Sequence, residues 1–490
     1  MSTETTILIG ISIYLVMMVA IGIYASQRTK STADFIVAGS RMPMLICTAT
    51  LTATWFGGIS MTGISGQSYK EGLLGVIADP FGACMTFFVV GFFFVRLFRR
   101  LRLLTFIEFF ESRFGKIAST VAAVAAIAAN VGWVGAMLVA FGTVFQSLTG
   151  MPIEYGIVGG AAVVLIYTAV GGMWAVAMTD LVQIIIIAVG LVILLVVVLI
   201  DVGGWGNIAP HLPEGRLRLT PADSSAATWF NYLRAWMILG VADITAQSLF
   251  QRAVSARNEQ VAQNSFYLAG FSYLAMGMVP VVLGIIGSVT IVGLANPEMI
   301  ITELAINHLH PVAIAIFVGA ILAAIMSSAD SALLASASIL SVNLLPLVKP
   351  QAPDRLRLLV TRAAIPILGA IAVYVALEFQ VIFDLMLDAN SVLLVCVTAP
   401  FIAGIWWRRA NRTGTLASMA VGFLTWFVTS VVAPEFPGDL LGLLIGSITI
   451  LVVTPLTQKA DPPKPLLDRD GKEVALKNRL GTLPLFRQAS

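Results

Sequence analysis

Charge is what this sequence has least of. Its 29 Lys and Arg and 26 Asp and Glu make up 11% of 490 residues, while 58% are hydrophobic; an ordinary soluble domain carries roughly 25% charged and 45–50% apolar residues. That balance excludes a water-soluble globule. Histidine and cysteine are also scarce, at three each. Cys47, Cys84 and Cys396 stand singly in apolar stretches with no CxxC spacing, which excludes a disulfide framework or a thiolate metal centre and leaves them as packing residues. His211, His308 and His310 fall between apolar runs, so no clustered acid–base groups point to an enzyme. The net charge of +3 gives no nucleic-acid surface either, because the basic residues are spread over alternate loops.

What is there is long apolar runs. One membrane span needs about 20 apolar residues, and the chain divides into 13 candidate spans, at residues 5–25, 43–68, 72–98, 117–149, 154–170, 174–202, 226–250, 262–293, 311–345, 356–378, 382–407, 413–433 and 437–456. The first run is preceded by Glu4 and followed by Arg28 and Lys30, the reverse of a signal peptide, and is read as a retained helix. Arg28, Lys30 and Arg41, then Arg99, Arg100, Arg102, Arg113 and Lys116, then Arg252 and Arg257, then Lys349, Arg355, Arg357 and Arg362, then Arg408, Arg409 and Arg412 occupy every second loop. The positive-inside rule makes those loops cytoplasmic. The expectation is a multi-pass protein of the plasma (inner) membrane with its N-terminus outside and residues 458–490 forming a cytoplasmic tail.

Two spans are not ordinary. Residues 43–68 place Gly57-Gly58 amid Thr and Ser, and residues 235–253 place Asp243, Thr245 and Gln247 near mid-span. Helix-weakening and polar residues at membrane depth are tolerated where unwound backbone lines an enclosed cavity. These are the second and seventh spans, five apart, and a pair of interrupted spans at corresponding places in two halves points to a transporter's binding site. The division expected from this is residues 1–42 as an extra helix and loop, 43–202 and 226–407 as two five-helix repeats separated by an outside loop at 203–225, 408–457 as two extra helices, and 458–490 as the tail. In the ninth span Ala324, Ser327 and Ser331 recur at i, i+3 and i+7 with Ser328 and Asp330 beside them, a stripe of oxygens suited to a small hard cation stripped of water. Asp180, Asp79 and Asp243 are further carboxylates at membrane depth, and each is a functional candidate because an ionisable group there is costly.

Thr105 to Gly115 (TFIEFFESRFG), Tyr167 to Gly172 running into Thr179 to Gln183, and Ala323 to Ser331 resemble the sodium:solute symporter family. Ala53-Thr54-Trp55-Phe56-Gly57-Gly58, Phe250-Gln251-Arg252 and Met326 to Ser331 resemble its choline-transporter branch in particular. The resemblance implies an all-α polytopic protein of 13 transmembrane helices with a leucine-transporter-type five-plus-five inverted-repeat core. It implies Na+ as coupling ion and no organic cofactor. The sodium site it implies comprises backbone at Ala53, Phe56 and Ala324 and the hydroxyls of Ser327 and Ser328, with a second ion near Asp180, Ser331 and Asp330. Trp55 and Trp133 stand where aromatic rings wrap a quaternary ammonium in that branch, a cation–π arrangement; alignment places Ala246 and Ala83 where two further rings are expected. Asp243 and Asp79 then become candidate partners for an ammonium that still carries hydrogens.

The expected function is sodium-coupled symport of a small organic solute by alternating access, the solute being a choline-like cationic or zwitterionic amine or an amino acid. The alternatives are a vitamin or carboxylate such as pantothenate, or a membrane sensor, for which the expected tail is too short to carry a kinase domain. The expected partners are the solute and the lipid bilayer, with no nucleic acid and a monomeric functional unit.

Overall fold

The computed structural model describes residues 3–379, 390–434 and 436–482, the side chains of residues 3–8, 11, 147–149 and 167 excepted. Within them the chain is helical, with two isolated β-bridges and no named strand. Helix α1 (Thr3–Ser26) is followed by a broken pair, α2 (Met44–Trp55) and α3 (Ile59–Glu71), bent by 63°. Then come α4 (Leu74–Leu101), the short amphipathic α5 (Phe106–Phe114), α6 (Lys116–Thr149) and α7 (Ile153–Asp201). The later half comprises α8 (Ala226–Gly240), α9 (Gln247–Ser255), α10 (Glu259–Thr290), α11 (Ile300–His308), α12 (Pro311–Val348), α13 (Asp354–Phe379), α14 (Asn390–Trp406), α15 (Arg412–Val432) and α16 (Gly438–Thr457).

Among the described residues eight helices are long and apolar enough to cross a bilayer, or nine if the bent pair counts as one span. The span expected at 382–407 begins outside the described residues; its described part is α14. Expected spans at 117–149 and 262–293 reappear as α6 and α10, because Gly150 and Asn258 mark their ends as a left-handed C-cap and a side-chain N-cap. The spans expected at 154–170 and 174–202 are the two arms of α7. They meet at Gly172, whose φ of 60° and ψ of −152° lie in a region essentially confined to glycine.

Helix α12 is the axis of the molecule: 83% of its apolar window is buried, against 22% for α15. Helices α1, α2, α6, α7 and α13 all pack on it. Its alanines and serines between Ala320 and Ser338 keep it thin enough for that close approach. The peripheral helices instead expose Ile13, Val16, Ile200, Ile367 and Val432, the surface that lipid tails cover.

The arginine-rich loops gather on one face. The Met42 backbone pairs with Ala256, Thr32 donates to Asp354, Thr105 donates to Asn343 at 2.7 Å and Arg113 donates to the carbonyls of Trp407 and Arg408. On the opposite face Leu73 donates to the Arg216 carbonyl, His308 sits 2.9 Å from Asp201 and Arg234 chelates Asp439. Arg252, counted with the loop charges in the sequence, does not belong there: it is fully buried.

A Cβ at Gly172 would stand 2.6 Å from the Phe35 carbonyl oxygen and 2.7 Å from its ring. Gly172→Ala is expected to destabilise the protein by about 1–3 kcal/mol from backbone strain alone, read as a lower melting temperature of the detergent-solubilised protein. Gly159→Ala, where a Cβ would meet nothing, should leave the melting temperature within a degree or two.

Candidate functional site

The site begins with a helix that cannot continue. Helix α2 stops at Trp55, Phe56 leaves the helical region at φ −79° and ψ 71°, and the chain resumes as a π-turn at Ile59. The backbone groups so released lie inside the protein and need partners. Helix α12 supplies them. The Ser327 hydroxyl lies 2.8 Å from the Ala53 carbonyl oxygen and 3.0 Å from that of Ala324, and the Ser328 hydroxyl donates to the Thr54 carbonyl at 2.8 Å. Gly57 and Gly58 make the approach possible: a Cβ at the first would stand 2.4 Å from the Ser328 hydroxyl oxygen, and at the second 2.5 Å from Ile325. The structure thus brings Ala53, Ala324, Ser327 and Ser328 within hydrogen-bonding distance of one another or of the adjoining backbone, with Phe56 at the break. The Ser327 and Ser328 hydroxyls and the carbonyls of Ala53, Thr54 and Ala324 are uncharged oxygens, the kind of ligand that a small hard cation takes.

One turn along α2 toward the arginine-rich face lies a charged cluster. Arg252 on α9 gives Nη2 to the Ser331 hydroxyl at 2.6 Å and Nε to Thr50 at 3.3 Å, and its Nη2 lies 3.8 Å from the Asp180 carboxylate. Thr50 donates its own hydrogen to Asp180. Ser331 donates to Asp330 at 3.0 Å, so the 3.2 Å contact between Ser331 and Thr54 has Thr54 as donor. Asp180, Asp330, Ser331 and Arg252 are each 0% exposed, and the Asp180 Oδ1 accepts no hydrogen bond among the described residues. Asp180, Ser331 and Asp330 therefore do meet, with a guanidinium already among them. Sequence reading missed Arg252, Thr50 and Thr54 here. The signal present was the i, i+4 spacing of Thr50 and Thr54 on the broken helix.

Beside the break is a cavity of about 50 Å³ lined by Thr54, Trp55, Asn130, Trp133, Asp243, Ala246, Ser248, Ser328 and Asn390 among others. At about 10–15 Å³ per water by this measure, it holds a few waters, so an organic solute enters only as the walls part. Asp243 reaches it because the second broken helix opens there: α8 ends at Gly240, a 3₁₀ turn runs from Ala242 to Thr245, and Ala246 is extended before α9. The Asp243 carboxylate is buried and takes no hydrogen bond among the described residues. The Asn390 amide nitrogen, also in the wall, is buried and unpartnered among them as well. One acceptor and one donor thus wait in the same small space. Ala246 lines the cavity and Ala83 does not.

Asp79 is placed differently. Its carboxylate accepts from the Tyr273 hydroxyl at 2.6 Å and from Ser60 at 3.0 Å, and Ser60 lies 3.1 Å from the Trp55 carbonyl. It supports the break from behind, and does not line the cavity. Phe87 and Tyr273 back the Trp55 ring, with centroids 4.9 and 6.5 Å away, so Trp55 is held by rings that the sequence did not single out.

Comparison with known proteins bears on the family and the fold. The model of the sodium:solute symporter family matches residues 35–422. High affinity choline transporter 1 of Homo sapiens is 28% identical over 437 residues, covering 85% of this chain and 75% of that protein. The sodium/pantothenate symporter of Escherichia coli (strain K12) is 28% identical over 454 residues, covering 89% of this chain and 92% of that one. A solved structure of a Na+-coupled sialic acid symporter in a substrate-bound outward-open state covers 95% of this chain and 100% of its own, with a TM-score of 0.81 at 19% identity, a likeness of fold.

The buried charges make a double-mutant test. Removing one member of a buried ion pair strands the other and costs about 3–5 kcal/mol. Arg252→Gln alone should therefore lower the melting temperature more than Arg252→Gln combined with Asp180→Asn, and thermal unfolding of the two purified variants checks the order.

Proposed function

The chain belongs to the sodium:solute symporter family, and from that membership we propose that it carries a small amine into the cell, coupled to sodium entering down its gradient. The observation that supports the coupling site is the meeting of Ser327 and Ser328 with the freed backbone of α2 at 2.8 Å. The ion would take the carbonyls of Ala53, Phe56 and Ala324 and the two hydroxyls as ligands in place of its water, as cations do where a broken helix frees its backbone. A second sodium would join Asp180, Asp330 and Ser331. Two carboxylates facing one guanidinium carry, when ionised, one surplus negative charge for it to neutralise.

The proposed architecture is 13 transmembrane helices in the multi-pass plasma (inner) membrane. Residues 43–202 and 226–407 form two inverted five-helix repeats of leucine-transporter type, joined by the outside loop at 203–225. Residues 1–42 and 408–457 add one helix before and two after, and the arginine-rich face and tail at 458–490 are cytoplasmic with the N-terminus outside. The functional unit is one chain. The solute lies between the two breaks, against Trp55 and Trp133, with Asp243 as its counter-charge; Asp79 acts on it through Trp55. A quaternary ammonium needs only the rings, whereas a protonated amine or amino acid also hydrogen-bonds, and the unpaired Asp243 carboxylate and Asn390 amide favour the latter. A zwitterion would use both.

Two outcomes are expected in proteoliposomes under an imposed sodium gradient, with uptake screened across quaternary amines, protonated amines, amino acids and carboxylates. Ser327→Ala and Ser328→Ala should each abolish the sodium dependence of uptake; normal dependence in both would sink the ion site. Asp243→Asn should raise the half-saturation concentration of the solute tenfold or more, since a charge-assisted hydrogen bond contributes about 1.5–3 kcal/mol, while changing that of sodium little. If Asp243→Asn leaves solute affinity intact, the solute is not a protonated amine held by that carboxylate, and the uptake screen then separates a quaternary ammonium held by the rings from a neutral or anionic solute.

A further inference from the structure

The segment after α16 stays against the bundle. Asn411 donates to the Asp461 carbonyl at 2.9 Å and Thr413 to its carboxylate at 2.7 Å. Leu466 and Val474 are then buried on the core, across a small turn closed by the Leu467–Glu473 bridge. Arg100 donates to the carbonyls of Ala475 and Lys477, both at 2.7 Å, and the Arg479 guanidinium lies 4.3 Å over the Trp406 ring. The Arg469 amide donates to the Leu101 carbonyl at 3.0 Å, which sets its side chain beside the end of α4.

There Arg469 meets Arg99 and Arg102 around a cavity of about 300 Å³ whose other walls include Gly39 and Ser40, in the loop leading into α2, and Val254 near the end of α9. Among the described residues no carboxylate is in its lining. The acids nearby are engaged: Asp470 with Arg102 at 2.8 Å, Glu259 with Arg100 at 3.0 Å, Asp34 with Arg41 at 2.5 Å, and Glu108 with the amides of Leu104 and Thr105 at 2.6 and 3.1 Å. Arg99 gives Nη1 to the Val254 carbonyl at 2.7 Å, yet its buried Nε has no acceptor among the described residues. The Arg469 guanidinium donates no hydrogen bond among the described residues.

Asp470 occupies part of the Arg102 fork, but the Arg99 Nε and the Arg469 guanidinium keep donors without acceptors among the described residues, and planar guanidinium forks match the oxygens of a phosphoryl group. We propose that this cavity binds a phosphoryl anion, which ties the tail to the chain entering the first broken helix and to the end of the second. The ligand is either the headgroup of an anionic phospholipid or a soluble phosphate. Basic pockets on the cytoplasmic side of a helix bundle suit the former, and the inference stands whatever the transported solute is.

The test is thermal unfolding of the purified full-length protein in detergent, with phosphatidylglycerol or phosphatidylcholine added, and separately with inorganic phosphate against chloride at equal ionic strength. Phosphatidylglycerol or phosphate is expected to raise the melting temperature by several degrees. Arg469→Gln and Arg102→Gln, both exposed side chains, should remove at least half of that rise. Arg355→Gln, exposed on the same face outside the cavity, should keep it. A rise with lipid alone identifies the headgroup, and a rise with phosphate alone identifies a soluble ligand. No rise with either, or the full rise in both cavity variants, overturns the proposal. Native mass spectrometry supplies the second reading: retained phosphatidylglycerol, or retained phosphate, should fall at least threefold in Arg469→Gln.

Discussion

An open helix end inside a membrane protein has no water to turn to, and the rest of this structure is arranged around that constraint. Helix α2 breaks at Phe56 and the hydroxyls of Ser327 and Ser328 meet its released backbone. For this α12 must lie against the break, which Gly57 and Gly58 permit, and must be thin, which its alanines and serines provide. The same hydroxyls that satisfy the backbone in the absence of an ion are the ligands proposed for sodium. Coupling would then consist of exchanging a hydrogen bond for an ion contact at the joint between the two elements.

A second break, between Gly240 and Gln247, opens onto the same interior from the other half of the chain. Around the breaks the polar groups form three adjoining sets. Arg252, Asp180 and Asp330 make a charged layer toward the arginine-rich face, the neutral oxygens of Ala53, Ala324, Ser327 and Ser328 lie one turn away, and the cavity with Trp55, Trp133 and Asp243 borders them through Thr54 and Ser328. The charged layer spans α2, α7, α9 and α12, so any rocking of the broken helices against α12 must stretch or exchange those bonds. Buried ionic networks are costly to leave half-made, which gives such a motion discrete end states.

Much of the fold could be read from the sequence because a bilayer imposes a length and a polarity on each element. Apolar runs bounded by charge reappear as α6, α10, α12, α13, α15 and α16 within a few residues, and Gly172 separates the arms of α7 where two spans were expected. Both breaks were legible for the same reason: Gly57-Gly58 and Asp243 are out of place in a lipid-facing helix. Asp79 was legible as an unusual carboxylate, but not its attachment to Tyr273 and Ser60, which lie on other helices.

By itself, then, the sequence determined where most of the long apolar helices lie, where two helices break, and that one face of the ninth expected span carries hydroxyls, since hydropathy and the 3.6-residue period are local properties. Arg252 shows what was beyond it. Nine residues from Asp243 and beside a polar loop, it reads as one more cytoplasmic charge, and only the packing of α9 against α2, α7 and α12 turns it inward onto Thr50, Ser331 and Asp180. Likewise the tail reads as a polar end, and its path over Leu101, Arg100 and Trp406 follows from contacts with residues far away in the sequence. Periodicity says which residues share a face of one helix. Which face of another helix it meets is decided by the three-dimensional arrangement alone, because no local interaction distinguishes one neighbour from another.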